Sequence, residues 1–331
     1  MKAYIFLSLL SFFLTTFVSA ILVKQTSSIK KFIDIPNHRK VHKRKIARNG
    51  GLAMFMAILV TWLISLLIGK KLLSYELAAS ISIVFLIGLV DDAVELGFKI
   101  KFLFQILAAT ICIQSGFVIK DIPITFFGVW NNTVLRIFLT YLWIIGITNA
   151  INLIDGIDGL ASVVVMSSSL LLFLKFNDPL ALILASVCIG FLLYNWNPAK
   201  IFMGDSGSYL LGFLISLITL RNFTMDGKTW IIGMGLFLGY PILDTFYAFV
   251  RRLLKKKNPF SPDQEHFHHQ LLEKGLSQKI VLLNLSSLSL LLNFLGIFLY
   301  QNSVVAFILY ISLSIFFYFY VRSPLEIKRS L

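Results

Sequence analysis

The chain has 331 residues, of which 57% are hydrophobic and 14% are charged, and it contains 31 Phe. A mean hydropathy of +0.84 leaves too little polar surface to solvate a water-soluble globule of this size, so the composition indicates a polytopic membrane protein. The net charge of +14 is carried by Lys and Arg in short segments between apolar stretches. This distribution differs from the basic domain of a nucleic-acid-binding protein, and we expect no nucleic acid as a partner.

Apolar stretches of about 17 to 25 residues, long enough to cross a bilayer, recur along the chain. We predict an all-α fold with about eleven transmembrane helices in a single integral domain, residues 1–331, because no repeat or Pro-rich linker divides it. The predicted spans are residues 3–23, 50–68, 74–90, 100–118, 132–149, 159–176, 180–197, 207–221, 230–250, 280–299 and 303–321. Cys112 and Cys188 fall inside spans, so neither a disulfide nor a Cys-based metal site is expected.

The distribution of basic residues predicts the orientation. With an external N-terminus and a cytoplasmic C-terminus, 22 of the 30 Lys and Arg fall on the inner side, as the positive-inside rule requires. Residues 1–20 also resemble a secretory signal, but the basic segment after them favours an uncleaved first span. The two substantial loops, 24–49 and 251–279, are cytoplasmic in this topology, and we expect both to contribute to a site.

Acids lie at the ends of two predicted spans. Asp91 and Asp92 follow an apolar run, where adjacent carboxylates are costly to desolvate unless a metal ion or a proton compensates them. Asp205 lies between glycines at the start of a span, where backbone N–H groups and the helix dipole favour a phosphate or a metal-bound carboxylate. The alternatives are a solvated acid pair for Asp91 and Asp92 and a simple helix N-cap for Asp205.

The most specific segment is 149–158. Its four oxygen-bearing side chains are spaced three apart along one side of a predicted helical turn, at Asn149, Asn152, Asp155 and Asp158. Gly156 allows a ligand or a backbone segment to approach closely. Hard oxygen ligands of this kind suit Mg²⁺, which keeps several waters and is shared with substrate phosphates. Helix capping is the alternative, and it accounts for one of the four side chains.

The loop 251–279 combines cations with imidazoles. Its basic run, 251–257, precedes His266, His268 and His269. This composition favours an anionic substrate, and lipid anchoring by anionic headgroups is the alternative for the basic run. Zinc is disfavoured, because both Cys residues lie in spans and no HExxH spacing is present. The loop therefore joins the acids in one site that we expect at the cytoplasmic face.

Together these motifs resemble the polyprenyl-phosphate N-acetylhexosamine-1-phosphate transferases, a glycosyltransferase family 4 type. That family includes the initiators of O-antigen, enterobacterial common antigen and teichoic-acid linkage units, and the phospho-MurNAc-pentapeptide translocase. The resemblance runs from residue 35, in five ordered motifs, to His269. The order His266-Phe267-His268-His269 is similar to the GlcNAc-1-phosphate transferase branch, since the translocase has three consecutive His. One departure is Ala47, where a Pro usually precedes the Gly pair.

The resemblance implies a reaction. A sugar-1-phosphate, in the first instance GlcNAc-1-phosphate, would pass from a UDP-N-acetylhexosamine to undecaprenyl phosphate, releasing UMP and starting a lipid-linked cell-envelope glycan. A lipid phosphate reaches a site only at the membrane interface, and a UDP-sugar arrives from the cytoplasm. Because two anions must meet, we expect Mg²⁺, with Mn²⁺ as a substitute, and cationic side chains. Direct in-line attack and a carboxylate nucleophile remain alternatives.

The resemblance also implies residue roles. Asp205 would be the chief magnesium ligand, completed by Asn152 or by one of the acids Asp91 and Asp92. Catalytic roles fall to four acids, Asp91, Asp92, Asp155 and Asp158. Asp91 would position or deprotonate the acceptor phosphate. Asp155 and Asp158 would orient uridine or the metal shell. Substrate contacts fall to Asn149, His266, His268, His269, Arg39, Lys40 and His42.

A multi-span ion-coupled transporter is the alternative function, since polar residues near spans also mark ion routes. A transporter should carry ionisable groups near mid-span, whereas these motifs lie at span ends. Asp244, in the predicted ninth span, is the one acid outside that pattern, and we interpret it as lining the site or pairing with a basic loop residue. The expected partners are the lipid bilayer and the two substrates. A homodimer is one of the oligomeric states that composition leaves open.

Overall fold

The computed structural model describes residues 1–25, 33–34, 46–124, 128–256 and 265–322. Arg39, Lys40 and His42, predicted to bind substrate, lie outside these ranges. The described helices are α1 Lys2–Lys24, α2 Gly50–Leu67, α3 Tyr75–Val94, α4 Phe98–Gln114, α5 Thr133–Ile154, α6 Leu160–Phe176, α7 Pro179–Asn195, α8 Gly204–Asn222, α9 Ile231–Phe237, α10 Gly239–Leu254, α11 Phe267–Glu273, α12 Gln278–Leu299 and α13 Ser303–Arg322.

The helices define a polytopic membrane protein. Six of the described helices are long and apolar enough to cross a membrane, namely α1, α2, α3, α5, α12 and α13, and the bent pair α9 and α10 would make a seventh. Helices α6 and α7 are apolar but shorter. The predicted helical membrane class is therefore confirmed, and the count of eleven spans stays a prediction.

Short antiparallel ribbons, absent from the all-α prediction, join some helices. Their strands are β1 Ile33–Asp34 with β2 Ile46–Ala47, β3 Ile122–Ile124 with β4 Gly128–Trp130, and β5 Thr224–Met225 with β6 Lys228–Thr229. Strand β2 leads into a segment that is bonded to the entry of α8: the Phe202 N–H donates to the Ala47 carbonyl at 2.8 Å, and the Gly50 N–H donates to the Phe202 carbonyl at 2.9 Å. The segment before α2 is thereby held beside the Asp205 motif.

Helix α8 forms the centre of the bundle. All its residues are buried except Asp205, Arg221 and Asn222, and α2, α3 and α5 pack around it. A helix that is apolar on every side is stable only when it is enclosed in this way. Its two polar ends, Asp205 and Arg221, lie about 24 Å apart, at about 1.5 Å per residue. Asp205 marks one end, and at the other Arg221 pairs with Asp178, the N-cap of α7.

Glycines bring α2 and α3 into backbone contact with the first turn of α8. A Cβ at Gly51 would lie 2.4 Å from the Gly207 nitrogen, and one at Gly88 would lie 2.6 Å from the Ser206 Cα. No side chain fits at either point without moving the backbone of α8. The close approach therefore positions the end of α3 directly against the turn that carries Asp205.

The stretch predicted as one span at 230–250 is divided between α9 and α10, which are bent by 88°. The physical reason is Pro241, which has no N–H to donate to the Phe237 carbonyl four residues earlier. Asn293 of α12 supplies that missing hydrogen bond through its side-chain amide. The bend is thus stabilised by a neighbouring helix, which accounts for the break in what is otherwise a continuous apolar stretch.

We expect Gly51→Ala to lower the free energy of unfolding by about 1 to 3 kcal/mol, because the added methyl group meets backbone atoms of α8. The matched control is Gly146→Ala in α5, where a Cβ would meet nothing within 4 Å and where replacing glycine in a helix stabilises it by up to about 1 kcal/mol. Thermal unfolding of the detergent-solubilised proteins measures both. Equal unfolding temperatures for the two variants would contradict the close packing.

Candidate functional site

Asp92 caps the N-terminus of α8 from a different helix. Its side chain is 0% exposed, and one carboxylate oxygen accepts a hydrogen bond from the Asp205 N–H at 2.8 Å. The other oxygen accepts from the Ser206 N–H at 3.0 Å and from the Ser206 hydroxyl at 2.7 Å. Gly204, at φ +70°, makes room, since a Cβ there would lie 2.4 Å from Asp92. The N-terminal N–H groups of α8 are therefore satisfied by a carboxylate that also suits the helix dipole.

Asp91 and Asp205 share a lysine. The Lys101 Nζ lies 2.9 Å from Asp91 Oδ2 and 3.4 Å from Asp205 Oδ2, and the second Asp91 oxygen accepts the Leu96 N–H at 2.6 Å. Arg48 approaches from the segment after β2, with Nη2 3.1 Å from Asp205 Oδ1 and Nε 3.3 Å from Asp92 Oδ1. Three acids and two cations thus meet in one cluster at the α8 N-terminus.

The two predicted aspartates of α3 lie inside the helix rather than after it, because α3 continues to Val94. The predicted alternative of a solvated acid pair is wrong, since Asp91 and Asp92 are only 5% and 7% exposed. Asp205 lies in the first helical turn of α8 and leaves the capping role to Asp92. Its side chain keeps 18% exposure, so it is the cluster acid most accessible to an incoming ligand.

The segment 149–158 does not form the continuous helical face that its spacing predicts, because α5 ends at Ile154. Asn149 turns to Gln105 of α4, donating to its side-chain oxygen at 2.7 Å. Asn152 donates to the Ser208 hydroxyl at 2.8 Å and interacts with Asp205. Asp158 accepts the Ala199 N–H at 3.0 Å, which fastens the turn to the α7–α8 connection. Only Asn152 and Asp155 therefore reach the carboxylate cluster.

Asp155, the C-cap of α5, lies partly exposed beside the cluster. Among the described residues, no group donates a hydrogen bond to its carboxylate. Burial, with the nearby charge of Asp205, raises the pKa of Asp155 well above its usual value, although Arg48 acts in the opposite direction. A carboxyl group in this setting holds a proton readily until a cation approaches it.

The histidine motif packs against the 155–158 turn. His266 Nδ1 lies 2.7 Å from Asp244 Oδ2, and the other oxygen of Asp244 accepts the Phe267 N–H at 2.7 Å. Asp244 is 1% exposed, so it anchors the start of α11 and does not line an ion route. This arrangement confirms the predicted pairing with a loop residue, although the partner is a histidine. His268 then lies over Gly156, where a Cβ would come 2.1 Å from Nε2.

His268 is buried, and neither ring nitrogen has a hydrogen-bond partner among the described residues. Burial lowers the pKa of His268 to about 3, so the imidazole is neutral at physiological pH. One nitrogen can then donate and the other accept. His269 follows it with ring centroids 4.2 Å apart. His268 can therefore form hydrogen bonds with a ligand. The sequence motif instead predicted that the histidines help to bind an anionic substrate.

Arg48 and Lys101 are the site residues without an assigned role in the sequence analysis. A single basic residue has no spacing that distinguishes it from the many other Lys and Arg. One sequence feature pointed to Lys101: it lies near the start of the apolar helix α4, shortly after the Asp91 motif. Ser206 and Ser208, which bond to Asp92 and Asn152, stood inside the glycine-rich motif but were not singled out.

The donor set is one of hard oxygens, because the carboxylates of Asp91 and Asp205 both lie near Lys101 Nζ and the Asn152 side chain lies beside Asp205. Within the described ranges, no group of three or more His, Cys, Asp or Glu is arranged to hold a metal ion. Mg²⁺ does not need such a cage, because it usually takes one or two carboxylates and completes its shell with water and phosphate oxygens. The residues present therefore fit a magnesium ion whose coordination shell a phosphorylated substrate would complete.

Comparison with known proteins identifies the family of the chain. The family model described as glycosyl transferase family 4 matches residues 74–222. A probable undecaprenyl-phosphate N-acetylglucosaminyl 1-phosphate transferase of Bacillus subtilis is 37% identical over 279 residues, which cover 82% of this chain and 78% of that protein. An undecaprenyl-phosphate alpha-N-acetylglucosaminyl 1-phosphate transferase of Thermotoga maritima is 36% identical over 292 residues, 88% of each chain. A Salmonella typhimurium protein of the same name is 28% identical over 303 residues, 84% of this chain and 80% of that one.

Fold and site define an integral membrane protein in which acids and cations from distant motifs meet at one end of the bundle. The chain belongs to glycosyl transferase family 4. The resemblance drawn from its motifs, to the GlcNAc-1-phosphate transferase branch, is thereby confirmed. The comparisons give no support to the transporter alternative.

The buried neutral His268 predicts a pH dependence of stability. Its folded pKa of about 3 lies below the ordinary value of 6.5, so the unfolded chain binds the extra proton and stability falls as the pH drops below about 6.5. At pH 5 this one group should cost about 2 kcal/mol. Thermal unfolding at pH 7.5 and pH 5 should therefore show a smaller acid shift in His268→Gln than in the unmodified protein. An identical shift in both would show that His268 is protonated in the folded state.

Proposed function

We propose that the protein transfers a sugar-1-phosphate, most simply GlcNAc-1-phosphate, from a UDP-N-acetylhexosamine to undecaprenyl phosphate, releasing UMP. The observation that carries the proposal is the meeting of Asp91, Asp205, Arg48 and Lys101 within ion-pair distance at the N-terminus of α8. The named activities of the relatives point the same way. The product would begin a lipid-linked cell-envelope glycan.

The two cations suit a reaction between two phosphorylated substrates. Arg48 and Lys101 form ion pairs with the acids, and they can turn to phosphate oxygens when the substrates bind. The guanidinium of Arg48 can bind a phosphate in bidentate fashion, whereas Lys101 supplies a compact charge. Both would offset the charge that develops on the departing UMP phosphate.

Magnesium fits this site, with Asp205 as its chief ligand and Asn152 or Asp91 completing the protein's share. When bound, Mg²⁺ would supply charge neutralisation for the diphosphate of the nucleotide sugar. Ser208 holds Asn152 through a 2.8 Å hydrogen bond, so the amide orientation is set before any ligand binds. Asp92 contributes by position, because its three hydrogen bonds hold the turn that carries Asp205.

Asp91 is the candidate to orient or deprotonate the acceptor phosphate. It lies at the end of α3 with one oxygen held by the Leu96 N–H and the other by Lys101. Asp155 can accept a cation or a donor from the substrate, since no described residue donates a hydrogen bond to it. A direct attack of the lipid phosphate on the β-phosphate of the nucleotide sugar needs no covalent intermediate.

The 155–158 turn and the histidine motif form the surface nearest to the cluster that could recognise the nucleotide sugar. His268 brings two ring nitrogens, neither of which has a hydrogen-bond partner in the described part of the chain, against Gly156, and a neutral imidazole can bond to uracil or sugar hydroxyl groups. Asp158 acts at longer range by holding the turn to the Ala199 N–H. His266 likewise positions His268 through its bond to Asp244.

The same end of the bundle should face the cytoplasm of a bacterium, with the N-terminus outside and the C-terminus inside. The carboxyl ends of α3 and α5, the start of α8 and α11 all meet there through the contacts of Asp92, Asn152 and His268. Most Lys and Arg of the sequence belong to the segments on that side. This orientation lets a cytoplasmic nucleotide sugar and a membrane-borne phosphate reach one centre.

Asp205→Asn should abolish UMP release while leaving the helical fold and membrane insertion intact, because the amide keeps the shape but lacks the charge that holds the metal and both cations. The matched control is Glu76→Gln, which makes the same change at an exposed position near the opposite end of α3. Purified proteins would be assayed in detergent with undecaprenyl phosphate, UDP-GlcNAc and Mg²⁺. Near-normal turnover of the Asp205 variant would exclude its metal role.

A panel of donors tests the function itself. The unmodified protein, assayed with Mg²⁺, with Mn²⁺ and after EDTA treatment, should release UMP and form lipid-linked product with one or more UDP-N-acetylhexosamines, and EDTA should stop both. UDP-glucose is the matched donor control, since it lacks the N-acetyl group. Absence of product with every donor and both metals would overturn the proposed function.

A further inference from the structure

A cavity with a largely apolar wall and three cations lies outside the carboxylate cluster, between α10, α11 and α13. Its volume is about 260 Å³, and its walls include Tyr247, Phe267 and Tyr318 together with Arg251, Lys255 and Arg322. The rings of Tyr247 and Tyr318 stack with centroids 5.0 Å apart, and the Tyr247 hydroxyl donates to the Ser314 carbonyl at 3.1 Å. The aromatic wall is therefore held in place by packing and by a hydrogen bond to α13.

The cavity carries an excess of positive charge. Arg251 and Lys255 both pair with Glu265, at 3.0 and 2.7 Å, so one carboxylate serves two cations. The third cation, Arg322, stacks over the Tyr318 ring at 4.7 Å and forms no ion pair with a described residue. Among the described residues, three cations and one acid surround the cavity, and this excess of positive charge favours an anionic occupant.

The surroundings of the cavity are those of a membrane interface. Leu254 on its rim is 80% exposed, and Phe246 and Phe249 on α10 and Phe319 on α13 are 57%, 40% and 65% exposed. Exposed large apolar side chains on membrane helices face acyl chains. Lys255 and Arg322 stand at the C-terminal ends of α10 and α13, about one to two turns beyond Phe249 and Phe319. A lipid with an anionic headgroup and apolar tails would contact both the cations and the exposed apolar side chains, whereas a free anion would contact only the cations.

We propose that this cavity binds the phosphodiester headgroup of an anionic glycerophospholipid, such as phosphatidylglycerol, whose acyl chains lie along the exposed apolar residues of α10 and α13. Arg322 and Lys255 hold the phosphate, and Arg251 bridges it to Glu265. Arg251 and Lys255 of the basic run then act at a defined site and not only through a diffuse attraction to the membrane surface.

The lipid would also support the histidine motif. Phe267 forms part of the cavity wall, and its backbone N–H donates to Asp244, the residue that pairs with His266. Glu265, one residue before His266, is held by the two cations that the headgroup would share. The cavity occupant and the His266–His268 segment are thus connected through a short series of direct contacts.

The test measures lipid binding without turnover, so its result is independent of the proposed function. Native mass spectrometry of the full-length protein in detergent would compare phosphatidylglycerol with phosphatidylcholine. In the double variant Lys255→Ala and Arg322→Ala, the preference for phosphatidylglycerol should fall about fivefold for each cation removed. The matched control is Lys200→Ala with Lys279→Ala, which removes the same charge from exposed positions and should retain the preference. Lys255→Arg with Arg322→Lys keeps both charges and should bind nearly as the unmodified protein does.

Three outcomes would overturn the proposal. The first is an unchanged preference in the double alanine variant. The second is displacement of bound phosphatidylglycerol by inorganic phosphate at equal concentration, which would identify a site for free anions. The third is displacement by undecaprenyl phosphate at equal concentration, which would identify a substrate subsite. Retention of phosphatidylglycerol against both competitors, with loss in the double alanine variant alone, supports the proposal.

Discussion

The structure depends on a buried carboxylate that caps a helix in another part of the chain. Asp92, at the end of α3, accepts the first N–H groups of α8 and the Ser206 hydroxyl with both of its oxygens. These hydrogen bonds satisfy two kinds of group that are costly to bury without a partner. One is the carboxylate of Asp92, and the other is the set of backbone N–H donors at the start of α8. Because α8 runs through the centre of the bundle, this contact sets the position of Asp205 relative to Asp91, Arg48 and Lys101.

Composition and motif order were sufficient to predict the helical membrane class and to bring the acid and histidine motifs to one site. Those features follow from the cost of burial in a bilayer. Long apolar segments are stable as membrane-spanning helices, and clustered polar side chains are stable only where they contact one another or water. Local spacing was a poorer guide for Asn149 and Asp158, because the end of α5 at Ile154 depends on contacts with residues far along the chain. The bend at Pro241 likewise needs Asn293 of another helix to complete its hydrogen bonds.

The two cations of the site, Arg48 and Lys101, could not be recognised from the sequence. Arg48 and Lys101 stand among 30 Lys and Arg, and only their distances to Asp92, Asp91 and Asp205 distinguish them. Acids are easier to recognise in such a chain because a membrane protein has few of them near its spans. A search for membrane active sites therefore gains from asking which cations could neutralise each group of buried acids.

The contact between Gly156 and His268 has a consequence for the order in which the molecule matures. All the acids and cations of the cluster belong to residues 48 to 205, which leave the ribosome before α10 and α11 are made, since synthesis runs from the N-terminus. The imidazole arrives last and closes over a turn that already exists. A chain that ends before α11 would hold the charged cluster without its histidines, so the centre is complete only after α11 has been made.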